Sequence, residues 1–540
     1  MAVTGTAATG SSLGLLAELA RGRVGDESLL YFADQLWTAN QLAGRAARLS
    51  GGLRSAGLRP GDRVVVCMAN CPEVGITYTA AWRAGAVVTP VLFLLSEAEL
   101  RHVLTDSGAR FVVTTPDFLT KVLRAAAGVP TVAAVLVAGP GDPGPAVDLA
   151  HAVELARAGE ASAGGVPPVR DFAEFEDAPE AGLVDTPSTD LAALLYTGGT
   201  TGRAKGVMLT HDALSAAALA AQTAQDEDFA DEDGRVVGLS PLPLSHVYGL
   251  AISVMGLHAT RPGTGVLMRW FDPVGFLTLV ARHGVRTSAL VPMMVRLLLD
   301  SPVEDYDTST LRVVVSGSAP LPRESLMEWR RRLPHTVLAE GYGCTEAAAI
   351  VTATPRRAPR LGSVGKPVAG VEVRIERPDG SAADAGAEGE ICLRGPSLMS
   401  GYWHAPVETA RVLRGGWLHT GDIGTLDEDG YLRVVDRIKD VIIRGGFNVY
   451  PRDVEDVLLT HPEVVGCGVV GRPDPVHGEE VVAFVQLAPG ASVTPTDLVT
   501  FARERISAVK YPREVRVVDA IPVTSVLKTD RKALRALLAG

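Results

Sequence analysis

Between residues 38 and 115 the chain switches repeatedly between two hydrophobic periods, and that alternation limits the folds open to it. Thr38-x-x-Gln41 is a capping box placed ahead of Leu42, Ala46, Leu49 and Leu53, which share one helical face that stops near Gly57. Val64 to Met68 is an apolar run of strand length, and Pro72 opens a second helix reaching about Gly85. Ser96-x-x-Glu99 caps a third helix that ends at Ser107-Gly108, just before the strand Phe111 to Val113. Short, wholly apolar strands separated by helices predict a largely parallel sheet covered on both faces, an α/β fold. The pattern resumes with a strand over Val236 to Leu239, a helix over Asp272 to Gly284, and strands over Val285 to Val291 and Leu311 to Val315.

The last hundred residues read differently. A hairpin over Leu426 to Val434, turning at Asp427-Glu428-Asp429-Gly430, precedes an exposed charged strand and a Gly445-Gly446 turn. Then come a helix (Pro451 to Thr460), two strands (Val464 to Val470, Val481 to Leu487), a helix (Pro495 to Ser507) and a strand (Val515 to Val518). That is a small α+β unit. Arg170 to Asp190, rich in Asp, Glu and Pro, reads as a surface connection.

With 540 residues the chain has length for roughly three or four units of about 150. Its 47% hydrophobic and 21% charged residues mark a globular protein with a sizeable core. A formal net charge of −11 argues against a nucleic-acid partner, while leaving room for a local basic patch facing an anionic ligand. Cys67, Cys71, Cys344, Cys392 and Cys467 lack zinc-type spacing and read as reduced thiols. Met1 to Ser12 has no basic leader, and the longest apolar stretches are broken by Arg83 or by Gly and Pro, short of the roughly 20 residues a membrane helix needs. A cytoplasmic protein without a membrane span is the expectation.

The residues that carry chemistry are concentrated in a few strings. After the apolar run Leu191 to Leu195 comes Tyr196-Thr197-Gly198-Gly199-Thr200-Thr201-Gly202-Arg203-Ala204-Lys205-Gly206. Three glycines within five residues let the backbone fold closely round an oxyanion, the threonines add donors, and Lys205 adds a mobile positive charge: a polyphosphate cradle. Ala204 before Lys205 breaks the Walker spacing. His246 follows a proline-stiffened turn at the end of a strand, where ligands sit in such sheets. Ser316-Gly317-Ser318-Ala319-Pro320 is a small-residue turn that lets a flat ring approach the backbone. In Gly341-Tyr342-Gly343-Cys344-Thr345-Glu346 the tyrosine can stack on a purine, the threonine can donate to a phosphate, and the glutamate can hold a hard cation. The two oxygens of Asp422, in Gly416-Trp417-Leu418-His419-Thr420-Gly421-Asp422, suit a cis-diol.

Together these strings resemble the motifs of the acyl-adenylate-forming superfamily, which includes acyl-CoA synthetases, aryl-CoA ligases, luciferases and nonribosomal peptide adenylation domains. The resemblance covers nearly the whole chain, with the motifs in the family's order. It implies a large, multi-subdomain N-terminal domain (residues 1–438) with parallel sheets flanked by helices, and a small mobile α+β lid (residues 439–540). Thr197, Gly198, Gly199, Thr200, Thr201, Gly202 and Lys205 would bind the phosphates. Ser318, Ala319, Gly341, Tyr342 and Gly343 would form the adenine pocket, with Thr345 on a phosphate, and Asp422 and Arg437 would hold the ribose. Thr201 and Glu346 would take Mg2+, and His246 would line the acid's carboxylate. Lys439 would be the hinge, and Gly445-Gly446 would line the tunnel for the CoA thiol. The adenylation lysine would be Lys528, at the family's spacing from Pro522 and Thr524, although Val526-Leu527 replace the usual Ser-Gly. Lys532 is the fallback.

The activity implied is ATP-dependent conversion of a carboxylic acid to acyl-AMP and pyrophosphate, then transfer to CoA. Phe447-Asn448-Val449-Tyr450-Pro451 and His246-Val247-Tyr248-Gly249 look most like fatty-acyl-CoA synthetases, with cinnamate-type aryl ligases next. Pro241 to Gly249 contains no aspartate to pair with an amino acid's ammonium group, which counts against an amino-acid substrate. Alternatives are an acyl or peptidyl carrier protein as acceptor, a monooxygenase-like relative, and a nucleotide-binding relative without catalysis. The oligomeric state is left open.

Overall fold

The computed structural model describes residues 10–139, 165–197, 203–229, 235–524 and 528–538. Two large sheets dominate it. One has eight strands in the order Gly401–Tyr402, Lys205–Thr210, Leu191–Thr197, Val87–Pro90, Arg63–Cys67, Ala109–Thr114, Ala134–Val137, Val169–Asp171. Pairing is parallel from Leu191–Thr197 onward and antiparallel at the two strands that close the other edge. The second sheet has seven strands, Val337–Glu340, Val313–Ser316, Thr287–Leu290, Val237–Ser240, Thr264–Leu267, Leu29–Phe32 and Gln35–Thr38, parallel except for the last pair.

The strand Arg63–Cys67 explains why parallel strands read as unbroken apolar runs. Val64 and Val66 enter one hydrophobic cluster and Val65 and Cys67 another, on the opposite face. Side chains alternate across a strand, so a sheet covered by helices on both sides needs apolar residues at every position.

Both expected capping boxes form: Thr38 and Gln41 at the head of the helix Ala39–Ser55, Ser96 and Glu99 at the head of Glu97–Ser107. Gly108 ends the second helix at φ 60°, the left-handed position that favours glycine. Within Ala39–Ser55 the pair Gly51-Gly52 is explained by packing. A Cβ at Gly52 would lie 2.3 Å from the Phe175 carbonyl oxygen.

That contact also corrects the reading of 170–190 as surface at its first residues, while 177–190 stays exposed or half-buried as expected. The stretch begins with the strand Val169–Asp171 and the short helix Phe172–Glu176, whose two phenylalanines are buried against the helix Ala39–Ser55. Abundant acids and prolines masked two core residues.

A five-stranded antiparallel sheet follows: Glu372–Glu376, Gly389–Arg394, Trp417–Leu426, Leu413–Arg414, and Leu432–Arg437 beside Trp417–Leu426. The C-terminal unit has its own sheet: Phe447–Val449, Ile442–Arg444, Gly478–Leu487, Val464–Asp474, with Glu514–Val517 parallel to Gly478–Leu487. Its core is separate, built from Ile442, Val449, Val454, Leu458, Val469, Val481 and their neighbours. The chain ends in a helix, Arg531–Leu538, that sequence reading missed because its basic residues look like solvated charge. Leu534 anchors it. Among the described residues no helix is long and apolar enough to cross a membrane.

His211 shows how the N-terminal helix Leu13–Val24 is tied on. It is fully buried, and its Nδ1 accepts a hydrogen bond from Leu13 N at 3.2 Å. Burial pushes its pKa down to about 4 from the ordinary 6.5. The folded state therefore resists a proton that the unfolded state takes up. The stabilisation is complete above pH 6.5 and is lost as pH falls toward 4, by about 1 kcal/mol per pH unit. Urea unfolding between pH 7 and pH 5 is expected to give a shallower loss of stability in His211→Gln than in the parent by that amount; equal slopes would refute it.

Candidate active site

The string Tyr196 to Gly206 is the turn of an antiparallel hairpin. Leu191–Thr197 leads in, Lys205–Thr210 leads out, and Thr197 faces Lys205 in register. Gly198, Gly199, Thr200, Thr201 and Gly202 lie outside the described residues. The Lys205 ammonium lies 5.4 Å above the ring of Tyr402, in the neighbouring strand. Tyr402 Oη donates to Glu346 Oε1 at 2.9 Å, so one side chain touches both the lysine of the hairpin and the candidate metal ligand. Sequence reading did not single out Tyr402, because nothing local marks a residue whose partners lie 56 and 197 positions away.

At the carboxyl end of Val337–Glu340 the chain folds back on itself through Gly341 to Ala349. Val351 N and Thr352 N both donate to Tyr342 O, and Ala349 N donates to Cys344 O. Ala348 and Ala349 take positive φ, 51° and 85°, which costs non-glycine residues about 1–3 kcal/mol each and points to a constrained site. Ser318, after the strand Val313–Ser316, is a third, at φ 75°. Ser318 is exposed and Ala319 half-buried, beside the Gly341 turn in the next strand over.

Tyr342 Oη donates to Asp422 Oδ2 at 2.6 Å, and Arg437 Nε donates to Asp422 Oδ1 at 2.8 Å. The aspartate lies inside the strand Trp417–Leu426 rather than in a turn, and is 5% exposed. Asp422 and Arg437 are direct cross-strand partners, so the ion pair follows from sheet register. Beneath them, Glu390 accepts from Gly421 N at 3.0 Å and lies 3.0 Å from His419 Nδ1; Cys392 Sγ is 3.4 Å from the same nitrogen. Glu376 is paired with Arg374, and Arg414 Nη2 is also 3.0 Å from His419 Nδ1. The guanidinium groups balance the carboxylates, and this network braces the strand that carries Asp422. Burial, with both carboxylates adding to it, pushes the Cys392 thiol to about 12.

His246 is the N-cap of the helix Val247–Leu257, its Nδ1 facing Tyr248 N at 3.4 Å. The turn before it is fixed by the buried Asn70, which donates to Leu242 O and Met268 O and accepts from Leu244 N. Burial, then the nearby Lys528 ammonium, lowers the His246 pKa to about 4. The imidazole is neutral at physiological pH.

Lys528 comes from the C-terminal unit. Its N–H donates to Thr524 Oγ1 and its carbonyl accepts from Thr524 N, while residues 525 to 527 lie outside the described ones. Burial and the positive Arg437 lower its pKa, whereas Asp422, Cys344 and Glu346 oppose the shift. Those groups come from the N-terminal body, so Lys528 lies inside the same electrostatic cluster. Lys532 lies exposed on the helix Arg531–Leu538. Of the two lysines, only Lys528 faces the other candidates.

Lys439 sits in a single 3-10 turn, Ile438–Asp440, between the two sheets. The segment is not a plain exposed strand: Asp440 is buried and pairs with Arg535 of the last helix at 3.0 Å. Gly445 and Gly446, at φ 56° and 82°, form the two-residue turn between Ile442–Arg444 and Phe447–Val449, a geometry open chiefly to glycine. Gly445 N is bonded to His477 O, within the C-terminal unit. Lys528, His246, Glu346, Tyr342, Asp422 and Arg437 share one electrostatic cluster.

A model of the AMP-binding enzyme family matches residues 16–403, and one of the AMP-binding enzyme C-terminal domain matches 453–528. A feruloyl-CoA synthase of Amycolatopsis sp is 37% identical over 492 residues, 90% of this chain and 91% of that protein. A long-chain-fatty-acid–CoA ligase of Bacillus subtilis (strain 168) is 33% identical over 524 residues, 95% of this chain and 92% of that protein. Among solved structures, ATP-bound MatB from Rhodopseudomonas palustris superposes with a TM-score of 0.83 at 31% identity, covering 98% of this chain and 99% of that one.

Proposed function

The chain belongs to the AMP-binding enzyme family, and from that premise we propose that it joins a hydroxycinnamate-type aromatic acid to CoA through an acyl-AMP intermediate. The broader activity, that of an AMP-forming acid–thiol ligase, follows from the named relatives. The aromatic acid is supported by the feruloyl-CoA synthase, at 37% identity. A fatty acid, the first expectation from sequence, is the second reading, supported by the Bacillus ligase at 33%. Either acid suits a pocket wall with a neutral His246 and no carboxylate between Pro241 and Gly249.

In the first half-reaction the substrate carboxylate attacks the α-phosphate of ATP, forming the mixed anhydride and releasing pyrophosphate. Lys528 neutralises the charge that grows between carboxylate and phosphate, while Thr197, Thr200, Thr201 and Lys205 hold the β- and γ-phosphates. Tyr342 stacks on adenine beside Ser318 and Ala319, and Asp422 with Arg437 holds the ribose. Glu346, with Thr201, would offer the hard oxygen donors that Mg2+ takes, Tyr402 orienting the Glu346 carboxylate, and Thr345 would donate to a phosphate oxygen. When bound there, Mg2+ would screen the polyphosphate charge. No covalent enzyme intermediate is needed, since positioning and fixed charges lower the barrier.

In the second half-reaction residues 439–540 act as a lid, turning about Lys439 to withdraw Lys528 and bring Gly445-Gly446 to the acyl carbon, which the CoA thiol then attacks, losing its proton as the acyl–phosphate bond breaks and AMP leaves. The observation that carries this reading is the convergence of a C-terminal lysine on the Tyr342–Asp422–Arg437 cluster of the body.

The test is acid-dependent pyrophosphate release with Mg-ATP over ferulate, coumarate, benzoates, fatty acids of graded length and amino acids, with and without CoA. Release with ferulate-type acids, yielding AMP and an acyl-CoA, is expected. Fatty-acid-dependent release would transfer the substrate to the second reading. Release without a CoA thioester would point to a carrier-protein acceptor, and none with any acid would sink the catalytic reading.

A further inference from the structure

We propose that the helix Glu97–Ser107 is a clamp that fixes both ends of the phosphate hairpin, with His102 and Asp106 as positioning residues for ATP. The inference rests on the reading of Thr197 to Lys205 as the cradle for the β- and γ-phosphates. His102 Nε2 lies 2.9 Å from Ala204 O; a carbonyl only accepts, so the imidazole donates. Four residues on, along the same helical face, Asp106 Oδ2 accepts from Tyr196 Oη at 2.5 Å. Tyr196 leads into the glycine-rich turn and Ala204 leads out of it.

Two further contacts close the frame. Asp106 O accepts from Trp403 Nε1 at 3.1 Å, and Trp403 N donates to Gly206 O at 2.7 Å. The His102 and Tyr196 rings meet edge to face, 6.0 Å apart at 84°. The helix itself is held firmly. Leu100, Val103 and Leu104 are fully buried on its other side, and Arg63 donates to the carbonyls of Ser107 and Gly108 at its end.

Tyr196 directly precedes Thr197 and Ala204 directly precedes Lys205, so anchoring the two fixes the backbone that carries these donors before the nucleotide arrives, and the benefit falls on ligands that carry phosphates beyond the first. ATP and pyrophosphate should depend on the clamp, and AMP should not.

Equilibrium binding of ATP, pyrophosphate and AMP tests this, alongside thermal unfolding. His102→Ala and Tyr196→Phe are each expected to weaken ATP and pyrophosphate about three- to tenfold, the effect of one hydrogen bond, with AMP binding unchanged. His102→Gln, whose amide N–H can reach the same carbonyl, should restore most of the loss. Lys205→Ala is the control for the cradle. If Lys205→Ala loses ATP selectively while the clamp variants bind like the parent, or lose ATP and AMP alike, the clamp is refuted. If Lys205→Ala leaves the ratio of ATP to AMP affinity untouched, the cradle reading itself falls and the clamp with it.

Discussion

Lys528→Ala is expected to cut acid-dependent pyrophosphate release by about 100- to 1,000-fold, the usual cost of one fixed transition-state donor, or about 3–4 kcal/mol. The same variant should still convert supplied acyl-AMP to thioester, because in the proposed mechanism Lys528 acts only before the lid turns. Its surroundings explain the size of the effect. Burial and the positive Arg437 disfavour the ammonium while Asp422, Cys344 and Glu346 favour it, so its charge is set by fixed neighbours and not by solvent. Lys532→Ala, on an exposed helical face, should stay near the parent. Measuring both half-reactions separately for both variants decides the matter. If the two half-reactions fall together in Lys528→Ala, the lid assignment is wrong.

The second large effect concerns two glycines of one motif that differ in what surrounds them. A Cβ on Gly343 would stand 1.5 Å from the Ala349 carbonyl oxygen and 2.5 Å from its carbon, a backbone group with nowhere to go. Gly343→Ala must therefore open the turn that carries Thr345 and Glu346. Overpacking costs about 1–3 kcal/mol in stability. A shift of about 1 Å at a catalytic group can cost on the order of 100-fold in rate. A Cβ on Gly341, by contrast, meets nothing nearer than 3.5 Å. Gly341→Ala should melt like the parent and weaken adenine-containing ligands only. Equal melting temperatures for both variants would show that the Gly343 turn is looser than its contacts indicate.

What could be read beforehand was local or repeated. The capping boxes at Thr38 and Ser96, the apolar strands and the Asp427–Gly430 hairpin are written within a few residues of one another, and they appear as expected. Asp422 was legible from its carboxylate and Arg437 through the family resemblance, whereas their pairing across the sheet follows from register that the sequence did not show. What stayed hidden depends on contacts distant in sequence. Tyr402 reaching Glu346, His102 reaching Ala204, and Phe175 filling the space left by Gly52 follow from how sheets and helices stack, which no window of sequence encodes. His246 was placed after a strand for a sound reason, yet its backbone role is to cap a helix.

The C-terminal sheet closes on a hydrophobic core of its own and joins the rest through the single turn Ile438–Asp440. Contacts across that seam include polar ones: Tyr450 Oη on Glu388 at 2.8 Å and Arg452 Nη1 on Val434 O at 3.1 Å. Two hydrophobic cores joined in this way need not melt in one transition, so the unit that holds His211 and the C-terminal unit are to be followed by separate signals. Salt screens the charged groups along the seam while leaving each core intact, so rising ionic strength is expected to loosen the coupling between the two units before it loosens either core.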